Sequence, residues 1–324
     1  VDDPATADLI CAVDLGGTNL RAANIDVAGR IHERTRTATP QSDNPADVVK
    51  SIAAAVRECE AAALSRGAHV DGVSVVVPGT VQTESGLVIN APNCKSLQGF
   101  KLGPALERAL TRSVLLENDA NAATLGEMWQ GAARGSKTIL CLTLGTGVGG
   151  GIILDGKLWR GVDGTAGELG HISVEPFGRV ICKCGNTGCL EVYASATAIV
   201  RMAGEALATN SNSSLHAIDQ SDLTSENIFR AATAGDELAR QVFRTVGVYL
   251  GVAMASFINI FNPEIIVIGG GVSAGWKMFA EPAHAETLRR AFRAPAERCR
   301  IAPAECGDDA GLLGAAWLAI KKNL

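Results

Sequence analysis

Twice in this chain an apolar strand runs straight into a nearly bare glycine turn, and a second strand begins at once. The first instance is "CAVDLGGTNLR" at residues 11–21, and the second, about 130 residues later, is "LTLGTGVGGGI" at residues 142–152. Such a turn leaves no room for a crossover helix, so the strands read over 9–13, 20–25 and 30–37 form an antiparallel meander. Neither GxGxxG opening a helix nor GxxxxGK[ST] stands at these strands, which argues against dinucleotide-binding and P-loop folds. Two halves of similar design predict an α/β molecule with a cleft between them. Around the turns, hydrophobic spacing predicts helices over 46–65, capped by Asp43 or Asn44, and over 102–110, 120–130, 191–207, 225–233, 237–261 and 311–321. Further strands are expected over 70–77, 114–116, 138–144, 151–154 and 265–268.

Consecutive glycines let several backbone N–H groups converge on one spot and hold anionic oxygens. On this reading Gly16, Gly17, Thr18 and Asn19 receive phosphate, as do Gly145, Thr146 and Gly147, and Gly269, Gly270 and Gly271 in "IVIGGGVS". A single such loop could be a plain hairpin turn, but three of them each follow an apolar strand. A carboxylate beside phosphate repels it unless a cation intervenes, so Asp14 implies a divalent metal, Mg²⁺ above all.

A formal net charge of −5 and the lack of a Lys/Arg run leave no basic face for nucleic acid. The apolar stretches at 139–144 and 265–272 fall far short of the ~20 residues of a membrane span, and "VDDPATADLI" has no basic region followed by an apolar one. A cytoplasmic protein with a small-molecule ligand is the expectation. Six of the nine cysteines are dispersed, as free thiols in a reducing compartment are.

The other three lie in "GELGHISVEPFGRVICKCGNTGCLE", where Cys182, Cys184 and Cys189 fall within eight residues and His171 stands eleven before the first. Soft thiolates with one imidazole match tetrahedral Zn²⁺, and four protein ligands close the site, so the expected ion is structural. Glu168 and Glu191 flank this loop, where a pinned backbone can orient them onto a hydroxyl-rich ligand. In "VLLENDANAATLGE" a strand ends and a helix begins at Glu117, Asn118 and Asp119. Either Asn118 or Asp119 suits the helix N-cap. The phosphate loops still need a general base, and a carboxylate can take a hydroxyl proton during phosphoryl transfer.

Assembled, these stretches resemble the ROK family of sugar kinases and repressors, within the actin/hexokinase/Hsp70-like ATPase superfamily. The resemblance runs from "DLGGT" to "GAAWLAI" through "LTLGTGVGGGI", "GELGH", "CKCGNTGCLE", "YASATAI" and "IVIGGGVS" in that order. It implies a duplicated actin/hexokinase-like (ribonuclease H-like) α/β fold of two domains around a cleft: 1–119 completed by the helix at 309–324, and 120–308 carrying the zinc loop. It also implies Asp119 as the catalytic base, with Asn118, Glu168, His171 and Glu191 on sugar hydroxyls and Asn93 and the Gly79 backbone beside them. His171 would serve zinc with one ring nitrogen and sugar with the other. The implied reaction is ATP- and Mg²⁺-dependent phosphorylation of a hexose 6-hydroxyl, glucose first, with N-acetylmannosamine, fructose or allose as alternatives. A sugar-sensing regulator without turnover is the rival. Only thirteen residues precede Asp14, against the DNA-binding extension of family repressors, so the kinase is expected. A homodimer or homotetramer is the implied assembly. One departure stands after "APN", where Cys94 to Leu97 occupy a place at which glucose-phosphorylating members often carry tryptophan.

Overall fold

The computed structural model describes residues 8–323, so the reading of the N-terminal "VDDPATA" lies outside the described residues. Strand β1 (Asp8–Leu15) is apolar on both faces: Cys11, Val13 and Leu15 join one core, Ile10 and Ala12 another. A strand of that kind needs cover on both sides. In chain order it is followed by β2 (Asn19–Asp26), β3 (Ile31–Ala38), α1 (Pro45–Ser65) and β4 (His69–Val77). A small sheet of β5 (Thr80–Gln82), β6 (Leu87–Asn90) and β7 (Phe100–Lys101) leads to α2 (Leu102–Leu110) and β8 (Leu115–Asn118). The main sheet has the order β3-β2-β1-β4-β8, antiparallel at β1–β2 and β2–β3, parallel at β1–β4 and β4–β8.

The second half opens with α3 (Asp119–Gln130), β9 (Ile139–Leu144), β10 (Val148–Leu154) and β11 (Lys157–Leu158). Helices α4 (Glu191–Ala194), α5 (Ala196–Leu207), α6 (Ser225–Ala234) and α7 (Glu237–Phe261) precede β12 (Ile265–Gly269). The chain closes with α8 (Trp276–Arg290), α9 (Arg293–Arg298), β13 (Arg300–Pro303) and α10 (Ala310–Asn323). Its sheet order, β11-β10-β9-β12-β13, repeats the first with the same parallel and antiparallel neighbours. The duplication read from the two glycine turns is therefore present strand for strand.

Helix α1 covers one face of the first sheet with Val48, Ile52, Val56 and Cys59 at helical spacing. Asn44 caps it, its Oδ1 accepting from the Ala46 N–H at 3.1 Å. Helices α3 and α10 cover the other face, where Ala315, Ala316 and Ala319 meet Ile10, Ala12 and Val76. A side-chain carbon on Gly314 would sit 1.7 Å from the Ala122 carbonyl, so glycine is what lets these two helices touch. Leu125 of α3 then packs on Ile139, Cys141 and Val267 of the second sheet, and α7 covers its far face. The layers run α1, sheet, α3 with α10, sheet, α7.

Three expectations change. The helix read over 191–207 is two helices, because Ser195 is extended (ψ 166°) and its Oγ caps α5 by accepting from the Ala198 N–H at 3.1 Å. Helix α8 was not anticipated, since Pro282 stands inside it and polar residues obscure its apolar face. Helix α7 carries no charge between Thr245 and Phe261 and is long and apolar enough to cross a bilayer. That corrects the reading that no stretch approaches that length, although Leu250, Met254, Phe257 and Ile258 are buried in the second core.

Candidate active site

Parallel pairing brings the carboxyl ends of β4 and β8 side by side, and the loops beyond them meet. Asn118 Nδ2 donates to the Gly79 carbonyl at 2.7 Å, and Asn118 Oδ1 accepts from the Asn121 N–H at 2.9 Å as the N-cap of α3. The cap is thus Asn118, which leaves Asp119 for other work. Among the described residues, the hydrogen bonds to the Asp119 carboxylate fall on Oδ1, from the Ala120 N–H at 2.9 Å and Asn118 Nδ2 at 3.0 Å.

A cavity of about 350 Å³ gathers all seven residues expected on the sugar side: Gly79, Asn93, Asn118, Asp119, Glu168, His171 and Glu191. Gly145, Thr146 and Gly147 line the same space. A second cavity, of about 630 Å³, is lined by Asp14, Gly16 and Gly269 to Gly271, and it shares Asp119, Ala120, Thr143 and Gly270 with the first. Asp119 therefore stands where the two meet. Its side chain is exposed within the cleft, and the protein packed around that opening sets its desolvation. That desolvation pushes its carboxyl up to about 6, the Asp14 charge adding to the effect and the hydrogen bonds from Ala120 and Asn118 opposing it.

The third glycine turn reaches the second by close approach. Gly270 has φ +81° and no room for a side chain, since the Leu144 carbonyl oxygen would be 2.4 Å away. The first residues of α3 and α10 also line the second cavity, so two helix N-termini supply partial positive charge there. Gly17, Thr18 and Asn19 line neither cavity. Gly17 packs on Asn93, the Thr18 carbonyl accepts from the Thr39 N–H at 2.9 Å, and Asn19 Oδ1 accepts from Arg36 Nε at 3.1 Å. Asp14 is buried and paired with Arg21, which faces it in the β1–β2 register. Burial raises the Asp14 carboxyl above its ordinary value, Arg21 lowers it, and Asp308 raises it further. Arg21 is the cationic side chain paired with this carboxylate.

The donor atoms of His171, Cys182, Cys184 and Cys189 lie within 4.8 Å of one another. Cys182 Sγ is 3.6 Å from His171 Nδ1, and Cys184 Sγ is 3.7 Å from Cys189 Sγ. Donors around a tetrahedral Zn²⁺ at normal bond lengths are roughly 3.5–3.8 Å apart, so these residues fit the ion. With Nδ1 on the thiol side, His171 Nε2 lies 3.8 Å from Glu168 Oε2. Glu191 ties the loop to β10, its Oε2 accepting from the Val148 N–H at 3.0 Å.

Sequence reasoning missed two parts of the site. A third cavity of about 350 Å³ joins Gly145, Thr146 and Gly271 to Ile199, Phe229 and Phe243, a mainly apolar slot beside the glycine turns. Its walls come from separate helices whose periodicity marks them only as core. Beneath the sugar side, buried Glu117 pairs with Arg160 at 2.6 Å and accepts from Asn121 Nδ2 at 3.0 Å. Nothing local to "WRG" signals that contact.

A profile of the ROK family matches residues 10–322. A glucokinase from Halalkalibacterium halodurans is 39% identical, over 94% of this chain and 93% of its own. The crystal structure of a ROK family glucokinase from Streptomyces griseus in complex with glucose and AMPPNP superposes with a TM-score of 0.81 at 36% identity, covering 97% of this chain and 99% of that one. A ROK family transcriptional regulator, a homologue of the E. coli MLC protein, reaches 0.87 at 29% identity over 96% of this chain and 77% of that one.

Proposed function

This chain belongs to the ROK family, and on that premise we propose that it is an ATP-dependent glucokinase. The glucose 6-hydroxyl oxygen attacks the γ-phosphorus of ATP, its proton passes to the Asp119 carboxylate, and the bond to the β-phosphate breaks with its electron pair leaving on ADP. The observation that carries this reading is the place of Asp119, between a cavity lined by Asn93, Asn118, Glu168, His171 and Glu191 and one lined by Asp14, Gly16 and the Gly269 turn. A carboxyl raised to about 6 is ionised at neutral pH and is a stronger base than an ordinary aspartate.

Asn93, Asn118, Glu168, His171 and Glu191 supply the donors and acceptors that hold the hexose, and the Gly145 and Gly269 turns with two helix N-termini receive the phosphates. His171, Cys182, Cys184 and Cys189 would hold a structural Zn²⁺, which when bound fixes the loop between Glu168 and Glu191. Asp14, with Asp308 in the same cavity, offers the hard carboxylate oxygens that Mg²⁺ prefers, and that ion would neutralise phosphate charge. The division into 1–119 with 309–324 and 120–308 belongs to the same proposal, supported by the two repeated sheets and by α10 packing on β1 and β4.

A coupled assay of ADP release with Mg²⁺–ATP over a panel of hexoses tests the reading, and glucose should give the highest kcat/KM. The likeness to a transcriptional regulator favours a second reading, a sugar sensor. Tight glucose binding with no ADP release from any sugar would select it.

A further inference from the structure

Asp119 stands just beyond β8 of the first sheet and Glu168 in the loop that follows β11 of the second, yet both face one cavity. A contact outside that cavity holds them in register. Arg160 lies two residues after β11, and its Nε and Nη2 both donate to Glu117 Oε2, at 2.7 and 2.6 Å. The other oxygen of that buried carboxylate, Oε1, accepts from the Asn118 N–H and from Asn121 Nδ2, each at 3.0 Å. Glu117 thereby fixes the residue before Asp119 and the first turn of α3. On its own side, the Arg160 carbonyl accepts from the Ala166 N–H at 3.0 Å, closing a turn that carries Gly164, Ala166, Gly167 and Glu168 to the sugar cavity. That turn also rests on β5, for a side-chain carbon on Gly164, at φ +86°, would sit 2.8 Å from the Val81 carbonyl oxygen. Arg160 itself lines none of the three cavities of the cleft. It lines a separate one, of about 540 Å³, with Glu107, Leu116 and Lys322.

We propose that Arg160 is a positioning residue for phosphoryl transfer: through Glu117 it locks the loop that presents Glu168 to the strand end that presents Asp119, so the sugar hydroxyl meets its base in one fixed geometry. The guanidinium suits this task because two donors converging on one oxygen fix direction as well as distance. A displacement on the order of 1 Å between base and hydroxyl costs up to ~10²-fold in rate, so a pair that never touches substrate still sets turnover.

The inference rests on the kinase reading above, and the experiment separates the two. Steady-state kcat and KM for glucose, with AMPPNP affinity in the presence of Mg²⁺ as the control for folding, are measured for the native protein, Arg160→Ala and Arg160→Lys, well below the Tm of each. Every measurement is repeated with millimolar methylguanidinium ion. Arg160→Ala should lose roughly ten- to hundredfold in kcat/KM for glucose and less than about threefold in AMPPNP affinity. Methylguanidinium, reaching Glu117 through the cavity that Arg160 lines, should restore kcat/KM of that variant by at least about fivefold, saturably, and leave the native protein unchanged. Arg160→Lys should stay about threefold or more below native, as a point charge without the fork. A merely structural role lowers Tm and leaves kcat and KM native below it, and that result, or a loss that methylguanidinium does not relieve, overturns the assignment. Should Arg160→Ala not fold, Arg160→Lys decides in its place, and native kcat/KM there overturns the assignment. A native protein that releases no ADP with any hexose sinks the kinase reading and this inference with it, whereas native turnover with unchanged variants removes the role of Arg160 alone.

Discussion

Asp119 and Asn118 are neighbours with the same local options, and the fold gives them different tasks. Asn118 takes the cap and bridges to Gly79 and Asp119, which leaves one acceptor position on its Oδ1 for a ligand. Asp119, one residue on, keeps an oxygen free at the junction of two cavities. Asp119→Asn should abolish phosphorylation while leaving glucose affinity within about tenfold, because the amide keeps shape and hydrogen bonding but cannot take the proton. Single-turnover kinetics beside glucose titration check it, and a variant keeping a tenth of kcat would return Asp119 to a structural role. The raised carboxyl also sets a pH dependence. Its base form is lost as pH falls through about 6, two units above an unshifted aspartate, so kcat/KM should decline about tenfold per unit below pH 6. An acid limb centred near pH 4 would mean the desolvation is not felt in solution.

Among the elements, the loop between Glu168 and Glu191 has little regular structure, and an ion held by His171, Cys182, Cys184 and Cys189 would organise it. Two isolated bridges, Ser173 with Cys189 and Ile181 with Thr187, are the β-pairing in it. Metal analysis of purified protein should give about one Zn²⁺ per chain, and Cys184→Ser should release it, a hydroxyl being a poor ligand beside thiolates. Glucose affinity should then fall more than nucleotide affinity, since Glu168, His171 and Glu191 hang from this loop. Normal glucose affinity in a zinc-free preparation would make the cysteines bystanders. The α3–α10 crossing invites a different test. Gly314→Ala places a methyl 1.7 Å from the Ala122 carbonyl, so the helices must part, at a cost of about 1–3 kcal/mol. Thermal unfolding reads that loss, and an unchanged Tm would show the helices can slide apart freely.

Across the whole molecule, Arg160 and Glu117 join the loop ahead of Glu168 to the strand that ends at Asn118, next to Asp119. Glu117 is buried to 1% exposure, while Arg160 is one-third open to solvent. Arg160→Leu leaves that carboxylate without its partner and should destabilise the chain by about 1–3 kcal/mol, short of a fully buried pair because one end is wet. Adding Glu117→Leu should recover part of the loss, which denaturant unfolding of both variants measures. Additive losses in the double variant would mean that the pair does not act as one.

What could be read along the chain was local chemistry. A glycine turn between two strands, three thiols within eight residues of loop and a strand running into "ENDAN" are each complete within a short window; the second turn and Asp119 line one cavity and the thiols gather with His171, while Gly17, Thr18 and Asn19 of the first turn line no cavity of the cleft. The α7 boundaries, 237–261, followed from a sustained apolar period in the same way. Pro282 riding inside a helix ran against local propensity, while Ser195, which suits an N-cap, left one continuous helix and two capped ones close in energy, and packing chose between them. The Arg160–Glu117 pair, the apolar slot at Ile199 and Phe229, and the arginine set against Asp14 were settled only by assembly. Their partners come from different elements, so no spacing rule links them. Tertiary packing alone determines which charges meet inside a desolvated cleft, and there a single pairing matters far more than it would in water.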